Sequence, residues 1–462
     1  MSDSSSSAEL AARLRALVER LSPGDRLPSS RELVRGHQVG PATVSQAIAT
    51  LAAEGLVVTR PGSGTYVAAR ARRRPNVADT AWQSVTLADR SVDTRLLTGA
   101  APPAGTIPLD GGYLHRSLQP TQLLSAALAR AARRPDAWDR APAAGLEALR
   151  SVFAAMAGDG VSASDVLVTA GGQSALSMAF RAVAAPGDPV LMESPTYPGA
   201  IAAARAAGLR PVPVPMDADG LRPDLLADAF ARTRARLLYC QPAFHNPTGA
   251  VLAPQRRRQV VDAARAAGAF VIEDDFARHL GHGAPVPPPL LADDRDGTVV
   301  HLTSLTKPAA PSLRIGALVA RGPVMERLRA TRLVDDFFVT RPLQEAALEL
   351  LTSPKWERHV RALAGALRER CAALAAAVAH ELPGWALTRL PAGGLHLWVR
   401  LPDDGDDVAA AETARRHGVA VSAGSRFFPA ERPAAYVRLA FAATADRAEL
   451  AEAARRLALS AR

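Results

Sequence analysis

Lysine is nearly absent from this chain. Of 55 basic residues in 462, only Lys307 and Lys355 are lysines. A bulk preference for arginine explains the others without any function. Cysteine is equally scarce: Cys240 and Cys371 are the only two. That excludes a disulfide framework and a cysteine-based zinc site, and it suits a reducing cytoplasm. No uninterrupted apolar run is long enough to span a bilayer. The first residues, Met1 to Ser7, are serine-rich with Asp3 and lack the apolar stretch of a signal peptide. A cytoplasmic protein without a membrane partner and without a metal centre is therefore expected. What abounds is hydrophobic residue, 48% of the chain and much of it alanine, enough for two or three domains. The net charge of +10 and sequence pI near 10.5 favour contact with polyanions.

Against this scarcity one lysine stands out. Lys307 lies in Ser304-Leu305-Thr306-Lys307-Pro308-Ala309-Ala310-Pro311-Ser312-Leu313-Arg314. Arginine supplies charge almost anywhere, but it cannot supply a neutral amine, so it cannot form a Schiff base. A lysine among hydroxyl residues and followed by an arginine is what an aldehyde cofactor with a phosphate tail requires. An ordinary surface-loop lysine is the alternative, and the rest of the chain decides between them.

The N-terminal residues form a compact pattern. Leu10, Leu14, Leu17, Val18 and Leu21 fall on one face of a first helix. Ser29 and Glu32 have capping-box spacing and start a second, Ser30 to about His37. Gly40-Pro41 opens a third, with Val44, Ala47, Ile48 and Leu51 as its buried stripe and Thr43, Ser45 and Gln46 projecting outward. Gly55 ends it. Leu56–Arg60 and Gly64–Val67 read as a hairpin around Pro61-Gly62-Ser63-Gly64. This is a winged helix-turn-helix, whose third helix enters a major groove of double-stranded DNA. From Met1 to Asn76, eleven arginines face six acidic residues, a balance suited to phosphate contact. The boundaries expected are an irregular N-terminus over 1–7, the winged head over 8–69 and a tether over 70–104. The tether carries Arg70, Arg72, Arg73 and Arg74.

From 105 to 462, short β runs alternate with alanine-rich helical stretches. The strand candidates are Val166–Thr169, Val190–Glu193, Leu237–Cys240, Phe270–Glu273, Val299–Leu302 and Gly316–Val319. Such alternation gives a mainly parallel sheet covered by helices, with ligands beyond the strand ends. The unusual residues cluster there. Ala170-Gly171-Gly172-Gln173 opens a helix after a strand and suits a phosphate. Tyr197 can lie over a flat ring, and Asn246 can donate to a phenolic oxygen. Ile272-Glu273-Asp274-Asp275-Phe276 sets acids at a strand end, where one carboxylate can keep a pyridine nitrogen protonated. A paired-acid metal site is the rival there, but no histidine cluster accompanies it.

Two resemblances follow from these segments. Pro23-Gly24-Asp25-Arg26-Leu27-Pro28-Ser29-Ser30-Arg31-Glu32-Leu33, Leu51-Ala52-Ala53-Glu54-Gly55-Leu56-Val57 and Arg60-Pro61-Gly62-Ser63-Gly64-Thr65-Tyr66-Val67 resemble the GntR family. That resemblance implies DNA contact by Arg31 and by the wing around Arg60, Gly62, Ser63 and Gly64, with Thr43, Ser45 and Gln46 on the recognition helix. The family's Ser-Arg before the recognition-helix threonine is replaced here by Gly40-Pro41.

From about Ala141 onward the ordered motifs resemble a class I aminotransferase of fold-type I, with a small C-terminal α+β subdomain over about 345–462. This implies pyridoxal 5′-phosphate, with Lys307 as its Schiff-base lysine and Asp274 as its pyridinium partner. Asn246 belongs at the ring oxygen, Tyr197 at the ring face, and Gly172, Gln173, Ser304 and Arg314 at the phosphate. Arg438, in Tyr436-Val437-Arg438-Leu439, matches the arginine that receives an α-carboxylate. Phe276 stands where the family has a tyrosine that tunes the ring oxygen. The two parts together resemble the MocR subfamily of bacterial transcription regulators. The expected protein is a homodimer that senses the cofactor, an amino-compound effector, or both. The competing reading is a working aminotransferase that carries a DNA-binding head.

Overall fold

The computed structural model describes residues 3–68, 80–87, 103–430 and 432–460. The chain separates into two compact units, Met1–Ser91 and Val92–Arg462.

The first unit holds three helices, α1 (Asp3–Arg20), α2 (Ser30–His37) and α3 (Pro41–Ala53), then an antiparallel hairpin of β1 (Val57–Arg60) and β2 (Gly64–Val67). Leu10, Leu14, Val18, Leu33, Val44, Ala47, Leu51, Val57 and Val67 form its core. The start of α2 follows its sequence: the Glu32 amide donates to Ser29 Oγ, and the Ser29 amide donates to Glu32 Oε2 at 2.7 Å. Losing such a cap costs about 1 kcal/mol. Ser29→Ala is therefore expected to speed amide exchange in α2 roughly fivefold through easier local opening. Exchange mass spectrometry on the full chain reads this directly.

Two expectations fail in this unit. The N-terminus expected to be irregular over 1–7 is helical from Asp3, and Ser7 is buried. Thr43, expected to project outward, is 8% exposed. It lies four residues before buried Ala47, so it borders the inner stripe. Of the tether expected over 70–104, residues 80–87 contain a short helix, Ala81–Thr86. Its arginine run lies outside the described residues.

The second unit begins with β3 (Ile107–Pro108). Its main sheet contains β4 (Val166–Thr169), β5 (Pro189–Ser194), β6 (Arg210–Asp217), β7 (Gly220–Leu221), β8 (Leu237–Cys240), β9 (Phe270–Asp274), β10 (Val299–Ser304) and β11 (Gly316–Val319). Their order is β4-β11-β10-β9-β8-β5-β6-β7. The central β10-β9-β8-β5-β6 pairs are parallel, and β11 runs antiparallel to both neighbours. Both sheet faces are buried. Leu191, Leu238, Val271 and Val299 enter one core, while Val190, Leu237, Ile272 and Val300 enter the other. Period-2 alternation between two apolar layers is why these strands read as continuous hydrophobic runs.

β6 has no such run. Pro211, Pro213 and Pro215 alternate along it. Alternate amides point to one side of a strand, so all the missing donors lie on the same edge. The other edge pairs fully with β5, and β7 meets only Met216 and Asp217.

The smaller lobe is a four-stranded antiparallel sheet, β12 (Ala386–Leu387), β13 (His396–Arg400), β16 (Tyr436–Ala440) and β15 (Ser422–Ala423), in that order. It packs with the Pro354–Glu381 and Arg447–Ser460 helices. β14 (Val419–Ala420) pairs in parallel with β3. Ile107, Leu109 and Leu114 thereby join the core of this lobe, although more than two hundred residues precede it. This crossing brings Asp110 to Tyr113 to the site.

Candidate functional site

The ends of β4, β5, β8, β9 and β10 and the inner edge of the smaller lobe enclose a cavity of about 360 Å³. It brings together Gly172, Gln173, Tyr197, Asn246, Asp274, Ser304, Lys307, Arg314 and Arg438.

Lys307 follows β10 by one turn. Its Nζ donates to the Gly112 carbonyl at 2.6 Å and lies 3.9 Å from the centre of the Tyr113 ring. Burial and then the nearby Arg438 charge lower its pKa to about 7, against an upward pull from Asp274 and with a smaller downward push from Arg314. A neutral amine is thus accessible at ordinary pH, the state a carbonyl-attacking lysine needs.

Asp274 ends β9. Its Oδ2 accepts from Tyr239 Oη at 2.7 Å and from Gln241 Nε2 at 2.9 Å. Burial pushes this carboxyl upward, while those donors and Lys307 pull it down. The neighbouring acids turn the other way, as strand alternation requires. Glu273 accepts from the Leu290 amide at 2.6 Å and pairs with His301 at 3.0 Å, and Asp275 pairs with Arg278. Only Asp274 of the three lines the cavity.

Gly171, at φ 85, caps the Gly172–Val183 helix without any side-chain hydrogen bond. A Cβ there would come within 2.9 Å of the Arg314 guanidinium, so the glycine lets the arginine lie against the turn. Arg314 donates to the Ala170 carbonyl at 2.9 Å. Ser304 Oγ donates to Thr306 Oγ1 at 3.0 Å. Uncapped amides, two hydroxyls and a guanidinium make an anion cradle. The Gln173 side chain serves elsewhere: it donates to the Gly199 carbonyl at 2.9 Å and accepts from Tyr197 Oη at 3.1 Å, so it props the tyrosine.

Arg438, on β16, is buried. It donates to Asn246 Oδ1 at 3.1 Å, to the Asp110 carbonyl at 2.7 Å and to Ser422 Oγ at 3.3 Å. Its guanidinium lies 5.0 Å from the Phe427 ring centre, and its Nε has no partner among the described residues. Burial lowers its pKa to about 10, which leaves it cationic at neutral pH. Asn246, having accepted from Arg438, keeps its amide group free to donate.

Pyridoxal 5′-phosphate fits this set of residues. The cradle suits a doubly charged phosphate, Asp274 a protonated ring nitrogen and Lys307 an aldehyde carbon. The unpartnered Arg438 Nε suits a carboxylate. Sequence reasoning missed Tyr239 and Gln241, which hold Asp274, and also Tyr113, Phe427 and His396. His396 is 7% exposed, and its Nε2 has no partner among the described residues. Burial and then the Arg438 and Lys307 charges keep its ring neutral. Tyr239 and His396 sit inside apolar strands, where nothing local separates them from core residues.

In the first unit, Arg31, Ser45, Gln46 and Arg60 are exposed. Arg60 stacks 5.0 Å over the Tyr66 ring, and Ser63 Oγ bonds Tyr66 Oη at 2.7 Å. Gly62 and Gly64 take φ values of 73 and 119, which favour glycine.

Comparison with known proteins matches residues 113–457 to the class I and II aminotransferases and residues 6–67 to the gntR family of bacterial regulatory proteins. The uncharacterized HTH-type transcriptional regulator YdfD of Bacillus subtilis is 26% identical over 91% of this chain and 88% of its own length. The 2-aminoadipate transaminase of Thermus thermophilus is 32% identical over 76% of this chain and 89% of its own. A crystal structure of an α-aminoadipate aminotransferase from Thermus thermophilus, complexed with N-(5′-phosphopyridoxyl)-L-leucine, superposes with a TM-score of 0.75. It shares 30% identity and covers 82% of this chain and 97% of that one.

Proposed function

This chain belongs to the class I and II aminotransferase family and carries a gntR-family DNA-binding head, the MocR arrangement, and from that premise we propose that it is a transcription regulator whose large unit senses pyridoxal 5′-phosphate and an amino compound. The observation that carries the reading is one chain holding both a winged head and a cavity that joins a half-buried lysine, its pKa lowered to about 7, with the carboxylate of Asp274. When bound, the cofactor supplies an electron-withdrawing ring and an aldehyde carbon. Lys307 holds it covalently, Asp274 keeps its ring nitrogen protonated, and the cradle of Gly172, the Gln173 amide, Ser304 and Arg314 fixes its phosphate. Tyr197 covers the ring, Asn246 donates to its oxygen, and Arg438 receives the carboxylate of the amino compound. A ligand held by both Lys307, after β10, and Arg438, on β16, would join the main sheet to the smaller lobe. Occupancy thereby shifts the population of lobe arrangements in a cytoplasmic homodimer and so the presentation of two heads to an operator.

Selecting genomic fragments with purified protein, with and without cofactor, tests this. Cofactor-dependent recovery of a common set of sites supports the reading, and identical recovery in both states overturns it. Within the head, Arg31→Ala is expected to weaken binding and reduce the salt slope by roughly 1, the signature of one lost phosphate contact. Fluorescence anisotropy across a salt series reads the slope.

A further inference from the structure

We propose that the head reads an A·T-containing major-groove site through an uncharged recognition helix, with Gln46 as its adenine-reading residue; this rests on the DNA-binding reading above. The thirteen residues of α3 include no charged one. Its exposed residues are Pro41, Ala42, Ser45, Gln46, Ala49, Thr50, Ala52 and Ala53, and Ala42, Ser45, Gln46, Ala49 and Thr50 form a stripe at helical spacing. A helix face exposed only to water normally carries charge, and 22% of this chain is charged. The neighbouring α2 exposes Arg31, Glu32 and Arg35. A neutral exposed stripe is therefore what a face set against another surface looks like.

Its chemistry selects among base pairs. Guanine is read chiefly by arginine or lysine, and α3 has neither. The Gln46 amide presents one donor and one acceptor, which match the N7 acceptor and N6 donor of adenine. Ala42 lies one turn before Gln46 and Ala49 one turn after, and their methyl groups suit thymine methyls. Thr50 Oγ1 donates to the Gln46 carbonyl at 3.0 Å, so its hydroxyl is engaged. Charge is confined to the rim. Arg31 and Arg35 lie on α2, Arg26 packs against Gly64 of the wing, and Arg60 stacks on Tyr66. Rim arginines attract phosphates without reading sequence. Affinity and sequence choice thus fall on different residues.

The test is selection of full-length protein on a random duplex pool at one salt concentration, repeated with Gln46→Ala and Gln46→Arg. Both changes are at an exposed position and leave the core intact. Wild type is expected to enrich adenine at one defined position per half-site by tenfold or more. Gln46→Ala should flatten that position only, and Gln46→Arg should move it to guanine. Enrichment of guanine there by wild type, or an unchanged adenine preference in Gln46→Ala, overturns the proposal while leaving DNA binding intact. Failure of wild type to retain any duplex overturns the DNA-binding reading itself.

Discussion

Replacing Lys307 with alanine is expected to abolish the visible absorption of bound cofactor that borohydride bleaches, and to remove the reduced cofactor adduct from the peptide containing residue 307. The other lysine, Lys355, lies at an exposed helix start and cannot substitute. Phosphate contacts through Arg314 and Ser304 remain, so the variant should still take up free cofactor, but exchange it readily by dialysis. The depressed pKa adds a second measurement. Protonation removes the attacking lone pair, so attachment to cofactor-free protein should accelerate as pH rises through about 7 and level off above it. An unperturbed lysine would keep accelerating past pH 10. A wild-type protein that carries no adduct after reduction, or an attachment rate still climbing beyond pH 9, contradicts the site as described.

The second large effect concerns Phe276, which lines the cavity two residues after Asp274. A phenyl ring there cannot donate a hydrogen bond. Asn246 is the neighbouring donor for a ring oxygen, and it is already tied on its acceptor side to Arg438. A hydrogen bond to a charged group contributes about 1.5–3 kcal/mol, equivalent to roughly 1–2 pH units. Phe276→Tyr restores a donor and favours the anionic ring oxygen. The pH midpoint of the bound cofactor's visible band should therefore fall by about 1–2 units, with little change in cofactor retention. Stopped titration of the absorbance of both proteins reads the shift. Wild type is expected to show slow or no transamination. Multiple turnovers on the order of 10 per second, a typical enzymatic rate, would show a working aminotransferase and displace the sensor reading.

Much of this protein was legible in its sequence because its signals are local. The Ser29–Glu32 capping box, the glycine turn before the Gly172–Val183 helix and the continuous apolar strands each follow from hydrogen bonding or periodicity within a few residues. The motifs at the strand ends stood out because ligands in such sheets bind beyond those ends, and their roles were what the resemblance to class I aminotransferases implied.

Other features required the tertiary structure. Nothing around Pro211, Pro213 and Pro215 reads as a strand, and only β5 pairing on the amide-bearing edge makes it one. Thr43 was expected outside, but helix phase relative to α1 and the hairpin turned it inward. Tyr239 and Gln241 support Asp274 because β8 and β9 are neighbours, a pairing no local pattern encodes. Asp110 and Gly112 reach Arg438 and Lys307 only because β3 pairs with β14 from the opposite end of the unit. Sequence periodicity marks the main buried stripe of an element, though not its borders, whereas contacts between distant elements depend on which chain segments pair, and those pairings decided the second layer of this site.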